Sequence, residues 1–212
     1  MLCGIDEAGR GPLAGPVCAA AVVLGDAFPA GLLNDSKKLK SIQRDAARRV
    51  IVEKAIAWGV GWATHVEIDK INILQASLLA MRRAFACLTT PIDEHGADPW
   101  PDRLEKEAPF GMPLEALPSD LFAVVDGLHA PQLPVHCKAL VKADASVPEV
   151  MAASILAKTA RDQLMEHYGR LYPEYGYIRH KGYPTKEHRR LLAIYGPSPI
   201  QRKSFIIRNR EQ

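Results

Sequence analysis

Asp6 and Glu7 stand side by side at the end of a short apolar run, and Gly9-Arg10-Gly11-Pro12 comes almost at once after them. Adjacent carboxylates suit a hard divalent cation such as Mg2+ or Mn2+, which takes oxygen ligands and shares its remaining positions with water and phosphate. An arginine flanked by glycines adds a permanently charged, planar fork on a backbone that a ligand can approach closely. The combination is that of a divalent-metal and phosphate site. Taken alone, the same residues also compose an ordinary solvated turn. Residues 1–5 are apolar and residues 8–12 are turn-rich, so the carboxylates are expected where a strand ends. Side chains alternate along a strand, so Asp6 and Glu7 can face the same way only if the strand ends or bulges there.

Two more carboxylates repeat the pattern. Asp126 comes directly after the apolar run LFAVV at 121–125, and Asp144 lies just beyond a second plausible strand at 135–141. One sheet would therefore bring the ends of three segments together. Four converging carboxylates repel one another unless cations lie between them. The spacing thus predicts a two-metal site able to activate water, hold a phosphate and stabilise a leaving oxygen. Asp162 is a weaker candidate, because an Arg-Asp pair inside a helix is commonly structural.

The elements that must position these groups read as an α/β chain. Residues 16–24 (PVCAAAVVL) form a buried strand, and residues 56–64 another, weakened by Gly59 and Gly61. A helix starts at Ser41, after the cap-type residues Asn34-Asp35-Ser36, and runs to about Lys54. The clearest helix is 66–88, with Ile71, Leu74, Leu78, Met81, Phe85 and Leu88 as its expected core face. Pro148 opens a helix reaching about Gly169, whose Ala152-Ala153-Ser154 and Ala157 can pack close to a sheet. Thr185 is the expected cap of a last helix, although His188 stands where a capping box wants an acid or amide.

With 212 residues, 48% of them hydrophobic, the chain can bury one good-sized core. No apolar stretch approaches a membrane span and no secretory signal is evident, so a soluble, cytoplasmic protein is expected. Cys3, Cys18, Cys87 and Cys137 lack metal-site spacing and are expected to be reduced, mostly buried thiols. Residues 92–121 hold eight acids against Arg103 and Lys106, a local charge of −6 in a chain of net +3, so the remainder carries +9. With its five prolines, this stretch is expected to be an acidic surface insertion that avoids nucleic acid. From Arg170 to Gln212 there are ten Lys or Arg and three Glu, a balance suited to a polyanion.

The motifs recur in order along nearly the whole chain: GIDEAGRGPLAGPV (4–17), NDSKKL (34–39), EIDKINILQASLLAMRRA (67–84), VVDG (124–127), KADA (142–145), AASILAKTARD (152–162), YPEYGYIRHKGYPTKEH (172–188) and GPSPIQRKSF (196–205). In this order they resemble the bacterial type 2 ribonuclease H family, ribonuclease HII. The resemblance implies a ribonuclease H-like fold with a five-stranded mixed sheet flanked by helices and a small helical C-terminal region. It divides the chain into a catalytic core at 1–168 and a basic region at 169–212 that completes the substrate site. It implies an Mg2+- or Mn2+-dependent endonuclease acting on the RNA of RNA/DNA hybrids and on single ribonucleotides in duplex DNA. Cleavage would fall 5′ of the ribonucleotide, leaving a 3′-hydroxyl and a 5′-phosphate, in ribonucleotide excision repair and RNA primer removal.

By motif position, Asp6, Glu7, Asp126 and Asp144 match the metal-binding, catalytic carboxylates. Gly9, Arg10 and Gly11 match the triplet that recognises the 2′-hydroxyl, and Tyr183 the tyrosine that stacks on the next sugar. Tyr183 is otherwise readable as a buried core residue. Lys37, Lys38, Lys158, Lys181 and Arg202 are candidate phosphate contacts, while His180 and His188 read as structural. The chain departs from the family pattern at Leu128, where Asn is usual, at Ala143, where Gly is usual, and at Gln201, where His is usual. No departure removes a carboxylate. A monomer without membrane association is expected, each site being complete in one chain. The competing readings are a catalytically inactive nucleic-acid binder and another two-metal nuclease of the same fold.

Overall fold

Strand β2 (Val17–Val23) is buried on both faces, and the rest of the molecule is arranged around it. The computed structural model describes residues 1–33, 39–88 and 120–205. Its five strands are ordered β3-β2-β1-β4-β5, with β1 (Leu2–Ala8), β3 (Ala57–Ala63), β4 (Phe122–Asp126) and β5 (His136–Leu140). β2 runs antiparallel to both β1 and β3, whereas β4 is parallel to β1 and to β5. The expected mixed sheet is therefore present. Its helices are α1 (Ser41–Lys54), α2 (His65–Cys87), α3 (Pro148–Leu171), α4 (Tyr177–His180) and α5 (Lys186–Tyr195).

Alternation along β2 divides the core. Cys18, Ala20 and Val22 meet Ala47 and Ile51 of α1 and Ala152, Ala153, Ile155 and Leu156 of α3. Val17, Ala19, Ala21 and Val23 face the other way, toward Ala76, Ala80, Ala84 and Phe85 of α2. The glycines of β3 serve that second layer: a Cβ on Gly61 would lie 2.3 Å from the carbonyl oxygen of Ala80. What reads in sequence as a weakened strand is a strand that α2 approaches closely.

α2 is entered through a capping box, in which Thr64 Oγ1 accepts from the Glu67 amide and Glu67 accepts from the Thr64 amide in return. It is not one continuous helix. Asn72 has φ +66°, and its Oδ1 accepts from the Leu74 and Gln75 amides, so it caps a second helical segment. That break resets the helical phase, and the buried face becomes Ile68, Ala76, Ala80, Met81, Ala84 and Phe85. Of the expected core residues, Ile71 is exposed and Leu74, Leu78 and Leu88 are half-buried. Asn72→Ala should lower stability by about 2 kcal/mol, losing both the cap and a residue tolerant of positive φ. Chemical denaturation of the two proteins measures it, and Asn72→Gly should cost less.

As expected, the first carboxylates stand at a strand end: Asp6 and Glu7 are among the last three residues of β1, which closes at Ala8. Asp6 pairs with Ala20 and Glu7 with Ala19 in regular register. A third apolar cluster, of Leu13, Ala14, Met165, Tyr175, Tyr177, Leu192 and Ile200, joins the loop after β1 to the C-terminal helices. All four cysteines are free, Cys3 and Cys18 buried, Cys137 half-buried and Cys87 exposed. Among the described residues, no helix is long and apolar enough to cross a membrane. Lys37 and Lys38, and the acidic stretch up to residue 119, lie outside the described residues.

Candidate active site

The carboxylates are placed by strand register. Gly4 of β1 pairs with Val124 of β4 in parallel, so Asp6 and Asp126, each two residues on, are level and share the face toward α3. Glu7 leaves β1 on the opposite side. Asp126 Oδ1 accepts the Ala143 amide at 2.8 Å, which fastens the short 3-10 turn Ala143–Ala145, Asp144 within it, to the end of β4. Asp6 and Asp144 are both buried, at 5% and 7% exposure.

Burial pushes the Asp6 carboxyl well above the usual carboxylate range, and the charges of Glu7 and Asp126 push it the same way. The Ser154 side chain, from the small-residue face of α3, and the Glu7 amide act against that rise. Glu7 is also raised by burial, opposed by Arg10, whose Nη1 donates to Oε1 at 3.1 Å. Its other oxygen, Oε2, is buried without a hydrogen-bond partner. An orphaned carboxylate oxygen among further carboxylates is stable only with a proton or a cation. These oxygen donors fit a hard divalent ion. Among the described residues, no three such groups already stand at coordinating spacing.

Beside the carboxylates lies the glycine loop. Gly9 adopts φ +98°, and a Cβ on Gly11 would lie 3.8 Å from Tyr183 Cε1. The Leu13 amide donates to the Gly182 carbonyl at 2.8 Å, so the loop after β1 and the segment carrying Tyr183 are held together. Tyr183 is 40% exposed and is therefore no core residue. Lys158 lies 6.0 Å from its ring centroid and is ion-paired to Asp162, which also faces Arg44. Asp162 thus belongs to a cation pair and stands apart from the four carboxylates.

Lys181 Nζ donates to Glu166 Oε1 at 2.8 Å and to the Ile178 carbonyl, and the side chain is 16% exposed. One expectation is corrected: Arg202 is fully buried and has no exposed surface to offer a phosphate. Sequence reading also overlooked Ser154 and Arg161. The signal for Arg161 is a charge at the end of an otherwise small, apolar helix face.

His180 and His188 stack at 4.3 Å in the buried base of the Tyr183 segment. The Gly182 amide donates to His180 Nδ1, and His188 Nδ1 bonds the Tyr183 carbonyl. Burial, with the neighbouring His180 adding to it, depresses His188 from 6.5 to about 4. A histidine held neutral takes up its proton more readily when unfolded. Its contribution is therefore present above pH 6.5 and is lost as pH falls toward 4. Thermal unfolding across that window should show a falling Tm, less steep in His188→Gln.

A family model described as Ribonuclease HII matches residues 3–108 and 113–209. A ribonuclease HII of Treponema denticola is 50% identical over 213 residues, covering 99% of this chain and 100% of its own. The ribonuclease H2 crystal structure from Pyrococcus horikoshii superposes with a TM-score of 0.65 at 24% identity, covering 96% of this chain and 93% of that one. A structure of Bst-RNase HIII in complex with Mn2+ superposes with a TM-score of 0.59 at 18% identity, covering 91% of this chain and 69% of its own.

Proposed function

Because the chain belongs to the ribonuclease HII family and is a metal-dependent ribonuclease H endonuclease, we propose that it nicks duplex DNA 5′ of single embedded ribonucleotides as well as cutting RNA/DNA hybrids. The supporting observation is one juxtaposition. Asp6 and Asp126 lie level on adjacent strands, Glu7 follows Asp6, Asp144 lies in the turn that Asp126 anchors, and the glycine loop is bonded to the segment that carries an exposed tyrosine.

Asp6, Glu7, Asp126 and Asp144 would hold divalent cations, Mg2+ or Mn2+. Two such ions, when bound, supply an activated water and charge stabilisation for the leaving oxygen. The chain's own part is to place the substrate. The 2′-hydroxyl is the handle that separates RNA from DNA, and it both donates and accepts hydrogen bonds. The backbone of the Gly9-Arg10-Gly11 turn can approach it without a side chain intervening. Arg10, half-exposed and adjacent to Glu7, is placed to grip a neighbouring phosphate. The ring of Tyr183 packs on the following sugar, where an added hydroxyl would clash. Lys158 and Lys181 are retained as phosphate contacts, and the basic region 169–212 completes the substrate face. Attack on phosphorus 5′ of the ribonucleotide breaks the bond to the preceding 3′-oxygen, so that a 3′-hydroxyl and a 5′-phosphate result.

The test is a DNA duplex carrying one ribonucleotide, incubated with Mg2+ or Mn2+ beside an all-DNA duplex and a hybrid. One nick 5′ of the ribonucleotide supports the reading. Binding without cleavage would identify a nucleic-acid binder, and cleavage of all-DNA duplex another nuclease. Arg10→Ala should reduce the preference for the ribonucleotide site by roughly tenfold, the scale of one charge-assisted contact. A preference unchanged in that variant would remove Arg10 from recognition.

A further inference from the structure

We propose that Arg202, with Arg161, is a positioning residue that sets the shape of the Gly9-Arg10-Gly11 turn and its spacing to Tyr183, and through them where the enzyme cuts. The inference rests on the reading that this turn recognises the ribose. Arg202 is fully buried near the far end of the chain. Its face lies over the Phe205 ring, 5.0 Å from the centroid, and its nitrogens turn to the loop: Nε donates to the Gly15 carbonyl at 2.8 Å, and Nη1 to those of Arg10 at 3.0 Å and Pro12 at 2.8 Å. Nη2 donates to the Gly9 carbonyl at 2.6 Å. One side chain therefore gathers four carbonyls from a seven-residue stretch.

Arg161 completes the clamp from α3. It donates to the carbonyls of Pro16 at 3.1 Å and Ala14 at 3.2 Å, and its third donor reaches the Lys181 carbonyl at 3.1 Å. That last bond ties the loop to the segment bearing Tyr183, whose ring centroid lies 5.8 Å from the Arg161 guanidinium. Gly9 rests directly on Arg161, since a Cβ there would fall 2.0 Å from Nε. With the Gly9 and Arg10 carbonyls drawn inward, the outer side of the turn is left to meet a ligand.

The energetics argue for more than filling. Burying a guanidinium costs several kcal/mol before its hydrogen bonds are counted, and an apolar side chain of similar volume commonly fills such a space at lower cost. A fork with five fixed donors can do what an apolar side chain cannot, which is to hold several carbonyls at set angles. A displacement of about 1 Å at a reacting group can cost on the order of 100-fold in rate.

Arg202→Lys keeps the charge but offers a single ammonium that cannot reach all four carbonyls. Phe85→Leu, in the core layer on the other side of the sheet, provides a variant of comparable stability loss. On the single-ribonucleotide duplex, Arg202→Lys should lower kcat roughly 10- to 100-fold with KM within about threefold, and spread nicks to neighbouring phosphates. Phe85→Leu should lose Tm while keeping kcat and the nick position. Wild-type kcat and a single nick in folded Arg202→Lys, or the same losses in Phe85→Leu, would overturn the proposal. If Arg202→Lys does not fold, Arg161→Lys carries the same test. Failure of both to fold would make the pair a folding element only, and the proposal would fall. A wild-type enzyme with no ribonucleotide preference would instead refute the underlying reading before any variant is made.

Discussion

Asp126→Asn is expected to lower kcat on a ribonucleotide-containing duplex by roughly 1000-fold or more while leaving substrate affinity within about threefold. The asymmetry arises from what Asp126 does in the fold. Its Oδ1 accepts the Ala143 amide, and an asparagine Oδ1 can accept the same bond, so the turn carrying Asp144 stays in place. Only the charge goes. On the proposed reading its loss would weaken the hold on a divalent ion, and it relieves repulsion felt by Asp6 and Glu7. The metal-free variant should consequently be no less stable than wild type, and slightly more so, as is common where like charges are held together for function. Substrate affinity measured in Ca2+, against single-turnover rates in Mg2+, separates the two properties. Equal loss of binding and turnover would show that Asp126 belongs to the docking surface rather than to the chemistry.

Gly9→Ala should destabilise the fold by about 3 kcal/mol or more, a Tm loss of roughly 6 to 12 °C for a chain of this size, and abolish activity with it. Backbone strain is the smaller part. At φ +98° an alanine is disfavoured, and its Cβ would also lie 2.0 Å from Arg161 Nε and 2.3 Å from Arg161 Cδ. Arg161 has nowhere to go, since three carbonyls hold it. Gly11 gives the internal comparison: a Cβ there meets only Tyr183 Cε1, at an ordinary 3.8 Å. Gly11→Ala should therefore fold with stability within about 1 kcal/mol of wild type and act on substrate approach alone. Equal stability losses in the two variants, measured by denaturant titration, would refute this account of the loop.

Much of the fold was legible because it is local. The buried strand at 16–24 is observed as β2, the helix from Ser41 to Lys54 as α1, and Thr185 caps α5 through the His188 amide. The misreadings have long-range causes. The apolar period across 66–88 is real, but Asn72 breaks it, and only packing against Gly59 and Gly61 shows which face is buried. Arg202 reads in sequence as one more cation in a basic tail, whereas in the fold it is among the most buried residues.

By itself, the sequence determined which groups are candidates for chemistry: four carboxylates after apolar runs and a glycine-flanked arginine, with the family resemblance adding an aromatic ring in a basic tail. Residue type and the two-residue strand period are written in immediate neighbours, so they need no fold to be read. Tertiary structure alone decided that Asp6 stands level with Asp126, since the pairing of Gly4 with Val124 is a register between strands more than a hundred residues apart in sequence. It decided also that Arg202 bonds the Gly9 carbonyl, 193 positions away. A guanidinium is buried only where carbonyls from elsewhere in the chain surround it, and that condition has no local signature.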